Sequence, residues 1–174
     1  MSGGIYSATL RPLCFAKQAG LRRNILGQNN SSEAKEPILL LLRRRIKMEK
    51  RIYFHDTDAG GVVYYGNYLK YLEEARTEFL EDKGLSVSDF QKRGLFYAVR
   101  KCLITYRTPA RYGEILLCDA HLKKLTAAQL IFDQSIWEKQ ARRLVVQAEV
   151  SLVCLNQNFE PTSIPEDIKA RLAG

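Results

Sequence analysis

The sequence has few of the features that mark membrane proteins, metal sites or disulfide-stabilised domains. Its longest aliphatic run, Ile38 to Leu42, has five residues, far short of the ~20 needed to cross a bilayer, so we expect no transmembrane segment. The four cysteines form no C-x-x-C pair and there are only two histidines. We therefore expect no metal, no cofactor and no disulfide framework. Unpaired cysteines favour a reducing compartment, and we predict a cytoplasmic location.

The positive charge is concentrated at one end of the chain. Residues 1–47 contain nine Lys and Arg against two acidic residues, a net charge of +7, whereas residues 48–174 contain 18 basic and 17 acidic residues, a net charge of +1. The overall charge of +8 therefore does not predict a nucleic-acid-binding surface on the body of the protein.

The sequence divides into a basic extension, residues 1–47, and one folded domain, residues 48–174. The extension has no sustained period of 3.6 or 2 and is expected to lie outside the core. Three interpretations stay open: an Arg-rich organelle-targeting peptide, a disordered basic arm that contacts nucleic acid or an anionic membrane, and upstream sequence ahead of a start at Met48.

The domain sequence predicts one amphipathic helix and an antiparallel sheet. Apolar residues recur at helical spacing after Asn67, which is expected to cap the helix, and Gly84 is expected to end it. The predicted apolar face contains Tyr68, Leu69, Leu72, Ala75 and Phe79. The predicted strands are Arg51 to Phe54, Tyr97 to Tyr106, Ile115 to Leu122, Gln129 to Trp137 and Leu144 to Leu155. Short connections favour an antiparallel meander, so the fold class is α+β.

The residues that carry chemistry lie in residues 55–75, which read HDTDAGGVVYYGNYLKYLEEA. Asp58 precedes Gly60 and Gly61, which permit positive φ and a close approach of the backbone. The N–H groups near Tyr65 precede the helix, have no intrahelical partner and carry the positive end of its dipole. A carboxylate beside such donors has the parts needed for acyl transfer: an attacking group and an oxyanion site.

The stretch D-T-D-A-G-G-V-V-Y-x-x-N-Y, followed by a helix and four strands, resembles the hotdog-fold thioesterases of the 4-hydroxybenzoyl-CoA thioesterase type. It is especially similar to the bacterial acyl-CoA thioesterases associated with the Tol-Pal system. The resemblance covers roughly residues 49–165. It implies a sheet wrapped around a central helix and hydrolysis of acyl-CoA or acyl-carrier-protein thioesters. It also implies homodimers joined at their sheet edges, or homotetramers, with active sites at the subunit interface.

The resemblance places the catalytic carboxylate on Asp58 and the oxyanion donor on the backbone N–H of Tyr65. The residues expected to contact substrate are Gly60, Gly61, Val62, Tyr64 and Tyr68. Some relatives of the Tol-Pal-associated type have histidine in place of Tyr65 and tyrosine in place of Phe54. Assistance from those two side chains is therefore not implied, and the acyl specificity stays open.

Several residues have alternative interpretations. Asp56 is interpreted as a carboxylate that orients the turn. A second branch of hotdog thioesterases uses a helix glutamate, which makes Glu73 and Glu74 alternative carboxylates, although a solvated face with Lys70 paired to Glu74 is the simpler interpretation. Candidates for binding the phosphates of coenzyme A are Arg107, Arg111, Lys123 and Lys124. The alternative function is a non-catalytic hotdog module that binds acyl-CoA or an acyl carrier.

Overall fold

A six-stranded antiparallel sheet forms the frame of the domain in a computed structural model, which describes residues 46–173. The expectations for residues 1–45 lie outside the described residues. The strands are β1 (Ile46–Arg51), β2 (Phe96–Tyr106), β3 (Ile115–Asp119), β4 (His121–Leu125), β5 (Gln129–Glu138) and β6 (Leu144–Leu155). Their order is β1-β3-β5-β6-β2, and β4 also pairs with β5. The α+β prediction is confirmed. β1 begins at Ile46, ahead of the predicted domain boundary.

The order of the strands differs from a simple meander. β5 and β6 are hydrogen-bonded neighbours, but β2 pairs with β6 at one edge while β3 pairs with β1 and β5. The meander prediction is confirmed for β3 with β4, β5 and β6, which pair in chain order, and is wrong for β2, because the connection from β2 to β3 does not require these two strands to be adjacent. The predicted strand from Ile115 to Leu122 is also two strands, separated at the buried residue Ala120.

The strand predicted from Arg51 to Phe54 is wrong. β1 ends at Arg51, Ile52 is buried, and Phe54–Asp56 form one turn of 3₁₀ helix. The Asp56 carboxylate accepts a hydrogen bond from the Tyr53 N–H at 2.8 Å. This side-chain acceptor competes with strand pairing and closes the chain into a turn.

The central helix α1, Asn67–Asp82, lies against β1, β3 and β5. Its end is as predicted: Gly84 has a φ of +68°, and the N–H groups of Gly84 and Leu85 donate to the carbonyls of Glu81 and Leu80, which is a Schellman motif. Its start is different, because Gly66 is the N-cap and Asn67 is the first helical residue.

The buried face of α1 also differs in part from the prediction. Tyr68, Leu72, Ala75 and Phe79 are buried as expected, but Leu69 is 46% exposed. The other buried residues of the helix are Tyr71, Arg76 and Leu80. The apolar stripe is therefore rotated toward Tyr71 and Arg76, and one of its buried side chains is charged.

Two short helices complete the described chain. Helix α2, Val87–Lys92, is capped at its start by Ser86, whose hydroxyl accepts a hydrogen bond from the Asp89 N–H. Helix α3, Glu166–Ala173, is joined to the end of α2 by a two-hydrogen-bond ion pair between Arg93 and Asp167, with both distances 2.8 Å. None of the helices in residues 46–173 is long and apolar enough to cross a membrane.

Candidate active site

The loop before α1 folds back on itself and presents Asp58 at its tip. The Asp58 N–H donates to the Val62 carbonyl, and the Gly61 N–H donates to the Asp58 carbonyl, both at 2.9 Å. The side chain is exposed, and its Oδ1 accepts from the Gly60 N–H at 2.8 Å. Its Oδ2 makes no hydrogen bond within residues 46–173. One oxygen is thus held by the turn and the other is available to a substrate.

Asp56, two residues earlier, is buried and fastens this loop to the helix. Its Oδ1 accepts from the Tyr71 hydroxyl at 2.8 Å, and its Oδ2 accepts from the Tyr53 N–H. Its carbonyl accepts from the Asn67 side chain and from the Tyr64 N–H, both at 2.9 Å. Burial, with the adjacent carboxylate, raises the pKa of Tyr71, which keeps that hydroxyl a donor. These contacts agree with the interpretation of Asp56 as an orienting residue.

The chain enters the helix with a free donor. Within the described part of the chain, the Tyr65 N–H has no hydrogen-bond acceptor. The Tyr65 carbonyl accepts from the Tyr106 hydroxyl of β2 at 3.3 Å, and the two rings meet edge to face at 6.4 Å between centroids. The hydrogen bond from Tyr106 fixes the orientation of the Tyr65 carbonyl. The positive end of the α1 dipole adds to the electric field at the Tyr65 N–H.

The connection between β2 and β3 supports the loop from the other side. The Val63 N–H donates to the Ala110 carbonyl at 2.8 Å, and the Ala110 N–H donates to the Tyr68 hydroxyl at 3.2 Å. Arg143 of the β5–β6 turn donates to the Pro109 carbonyl and pairs with Glu114. The segment that carries Asp58 is therefore attached to the helix, to the sheet and to a second loop.

Gly60 and Gly61 provide a matched pair of alanine variants. A Cβ at Gly60 would lie 3.0 Å from Oδ1 of Asp58, whereas a Cβ at Gly61 meets nothing within 4 Å but Gly61 has a φ of +73°. We expect Gly60→Ala to lower kcat with little loss of stability, because it displaces the carboxylate. We expect Gly61→Ala to lower the free energy of unfolding by about 1 kcal/mol, because it places a Cβ at positive φ.

Steady-state kinetics and urea unfolding of both variants test this prediction. A large loss of stability in Gly60→Ala, or unchanged kinetics in that variant, would contradict the proposed contact with Asp58.

A groove runs between α1 and the inner face of β2. It contains two neighbouring cavities, of about 470 Å³ and 260 Å³, which share Glu73, Arg76 and Val99 as lining residues. The larger one is also lined by Leu69, Lys70, Leu72, Cys102 and Val150. Cys102 is on the strand that carries Tyr106, so the groove lies along the same pair of elements as the free N–H at the helix start.

The predicted substrate-contacting residues are placed differently from one another. Val62 and the half-exposed Tyr64 belong to the loop. Tyr68 is buried, its hydroxyl accepts from Ala110, and its ring packs against Tyr71. Neither Tyr64 nor Tyr68 lines either cavity. Tyr68 is thus a core residue. The contact of Tyr68 with substrate stays a prediction.

The two alternative carboxylates and one of the candidate cations have partners of their own. Glu74 pairs with Lys50 at 3.5 Å, so the expected pair with Lys70 is not the one that forms. Glu73 lines the groove and accepts from the Thr77 hydroxyl at 2.9 Å. Lys123, a candidate for binding coenzyme A, pairs with Glu149 at 2.7 Å.

Sequence reasoning missed two residues near this site, Tyr106 and Arg76. Tyr106 could not be connected with Tyr65 from sequence, because the contact depends on how β2 lies beside the helix. Arg76 had a signal: it continues the four-residue spacing of Tyr68 and Leu72 along the buried face. Its charge led to its omission from that face.

Comparisons with known proteins identify the family. Residues 52–172 match the family model described as thioesterase-like superfamily, and the chain belongs to this family. Its sheet and central helix are the hotdog fold, as predicted. The chain is a thioesterase of that fold.

Individual relatives agree. The acyl-CoA thioester hydrolase YbgC of Escherichia coli O6:H1 is 34% identical over 121 residues, which are 69% of this chain and 90% of that protein. A probable thioesterase from Bartonella henselae is 30% identical, with a TM-score of 0.64 over 68% of this chain and 97% of that one. The 4-hydroxybenzoyl-CoA thioesterase of Pseudomonas sp. strain CBS-3 is 22% identical, with a TM-score of 0.66 over 71% and 96% of the two chains, and shows the shared fold.

Proposed function

We propose that this protein hydrolyses acyl-CoA thioesters to the free acid and coenzyme A, with Asp58 as the catalytic carboxylate and the Tyr65 N–H as the oxyanion donor. The observation that carries the proposal is the loop of residues 57–66, which presents a carboxylate oxygen and an N–H that have no hydrogen-bond partner among residues 46–173. The similarity to acyl-CoA thioester hydrolases supports coenzyme A as the carrier of the acyl group.

The chemistry needs little more than these two groups. The Asp58 carboxylate either attacks the thioester carbonyl carbon, which releases the thiolate and leaves a mixed anhydride for water to cleave, or removes a proton from the attacking water. The Tyr65 N–H donates to the oxygen that becomes negative in either case, an interaction of the kind worth on the order of 10²- to 10³-fold in rate. A thiolate leaves readily, since a free thiol has a pKa of about 8.5.

The acyl group is proposed to lie in the groove between α1 and β2, covered by a second copy of the chain. β2 is an edge strand, its residues Val99 and Leu103 are exposed and apolar, and Val99 lines the same cavity as the exposed Leu69 of the helix. An unpaired edge and an apolar patch together favour strand-to-strand association. Pairing of two β2 strands would cover the groove and exclude water from the acyl group.

We expect sedimentation equilibrium to give a mass of two chains or a multiple of two, because the groove is open along β2 in one chain. Rates of hydrolysis measured at the same protein concentrations show whether activity depends on association of the chains. Full activity in a preparation that contains only single chains would contradict the proposal that a second copy completes the site.

We also infer a cytoplasmic location. Cys102, Cys118 and Cys154 are free thiols, which persist most readily in a reducing compartment. Fractionation of cells that express the full chain tests this inference, and it also tests the interpretation of residues 1–47 as a targeting segment.

A panel of purified CoA thioesters, with release of the free thiol followed in time, tests the proposed function. Hydrolysis of at least one ester, lost in Asp58→Asn, is the expected result. Tight binding of acyl-CoA without any turnover by the parent protein would instead support the non-catalytic module.

A further inference from the structure

Arg76 is a buried cation at the floor of the groove. Only 6% of its surface is exposed. Its Nη1 donates to the Gln134 side-chain oxygen at 2.8 Å, and Gln134 in turn donates to the Leu72 carbonyl at 2.9 Å. A guanidinium has five N–H donors, and the bond to Gln134 is the one that the described residues satisfy. Four donors remain.

No carboxylate among residues 46–173 lies within 4 Å of this guanidinium. Burial lowers the pKa of Arg76, and the nearby charge of Glu73 opposes that shift. Glu73 is an exposed residue whose carboxylate accepts from Thr77. A buried charge without a close counter-ion lowers stability unless another group compensates it. A bound anion would compensate the charge of Arg76.

The groove offers the place for that anion. Arg76 lines both cavities, and its neighbours on the facing wall are Val99 and Cys102 of β2, with Val150 of β6 beside them. The walls are therefore mainly apolar, with Arg76 as the buried cation and with Lys70 and Glu73 as exposed charged lining residues. Such a lining suits a ligand with an apolar chain and a negatively charged end, because the guanidinium fork matches a carboxylate in two parallel hydrogen bonds.

We propose that Arg76 binds a carboxylate at the far end of the acyl group, so that the preferred substrates are CoA monothioesters of dicarboxylic acids. The inference rests on the proposed function. Arg76 lies nine residues after Asn67, the first residue of α1, which is about 14 Å along the helix at ~1.5 Å per residue, and helical side chains point back toward the helix start. The distance between oxyanion donor and guanidinium therefore favours an acyl chain of medium length over a short one.

Matched pairs of substrates test the proposal. The pairs are succinyl- and butyryl-CoA, glutaryl- and valeryl-CoA, adipyl- and hexanoyl-CoA, and suberyl- and octanoyl-CoA. We expect the wild-type kcat/KM for at least one of the longer dicarboxylic esters to exceed that of its partner by about tenfold or more. Arg76→Gln is expected to remove that preference, mainly by raising KM for the dicarboxylic ester, and Arg76→Lys to restore part of it.

Two further variants test whether the preference depends on the charge near Arg76. Glu73→Gln removes the carboxylate that competes for Arg76 and is expected to lower KM for the dicarboxylic ester. Lys92→Gln makes the same charge change as Arg76→Gln at an exposed residue of α2 that lines neither cavity, and it is expected to leave the ratio within each pair unchanged.

A purely structural role for Arg76 predicts a different result: Arg76→Gln would lower kcat/KM equally for both members of each pair, which would overturn the proposal. So would a wild-type enzyme with no preference for the carboxylate at any chain length. If no ester of either kind is hydrolysed, the proposed function itself fails. If Arg76→Gln does not fold, inhibition of the wild type decides, since adipate and suberate should inhibit more strongly than hexanoate and octanoate.

Discussion

Replacing Asp58 with asparagine is expected to lower kcat by on the order of 10²- to 10⁴-fold, the range typical for loss of an acid–base or nucleophilic group. Asparagine keeps an oxygen that can accept from the Gly60 N–H, as Oδ1 does now at 2.8 Å. It removes the negative charge that attacks the carbonyl or activates water. Because the side chain is exposed, the free energy of unfolding should change by less than about 0.5 kcal/mol.

Initial rates of thiol release and urea unfolding together measure both parts of this prediction. Retention of full activity in Asp58→Asn would reject the assignment and direct attention to Glu73. Single-turnover hydrolysis in ¹⁸O-labelled water tests for attack by the carboxylate: label found in Asp58 shows that an anhydride formed and that water cleaved it at the Asp58 carboxyl carbon, whereas activation of water by Asp58 places the label only in the product.

Replacing Asp56 with alanine is expected to reduce the free energy of unfolding by about 2–4 kcal/mol. The change removes the acceptor for the Tyr71 hydroxyl and for the Tyr53 N–H, and each buried donor left without an acceptor costs about 1–3 kcal/mol. Tyr71 is almost fully buried, so water cannot readily replace the carboxylate. Urea unfolding should show a lower midpoint with an unchanged slope.

Tyr71→Phe is the matched control, because it removes the partner of Oδ1 and leaves Asp56 in place. It should destabilise the protein less than Asp56→Ala, and the double variant should show coupling between the two residues. A stability of Asp56→Ala equal to that of the wild type would mean that the loop is held by its other contacts, such as the one between Val63 and Ala110.

Local patterns were sufficient for much of the fold. The spacing of the helix and the position of Gly84 predicted the end of α1, because a helix often ends at a residue of positive φ and glycine is the residue most common there. The start was harder: Asn67 has the side chain of a cap, but that side chain donates to the Asp56 carbonyl eleven residues earlier. A residue's capping propensity does not show whether its side chain will bond to the helix or to a residue farther along the chain.

The candidate site shows the same division. Asp58, Gly60 and Tyr65 are close in sequence, and a motif predicts them together. The groove, in contrast, is made by helix residues and by β2 residues such as Cys102, far apart in the chain. Gln134, which holds Arg76, is 58 residues away from it. Contacts over such separations depend on strand order, and the predicted meander is wrong for β2, the strand that lines the groove, because it pairs with β6.

The two edges of the sheet differ in a way that limits how far copies of the chain can associate. β1 at one edge is six residues long and reads IKMEKR, with charges on most positions, whereas β2 at the other is eleven residues long and has exposed apolar side chains. Charged, short edge strands resist further pairing. Under the proposed pairing of two β2 strands, growth would stop at two sheets, because the short charged β1 strands would remain at the outer edges.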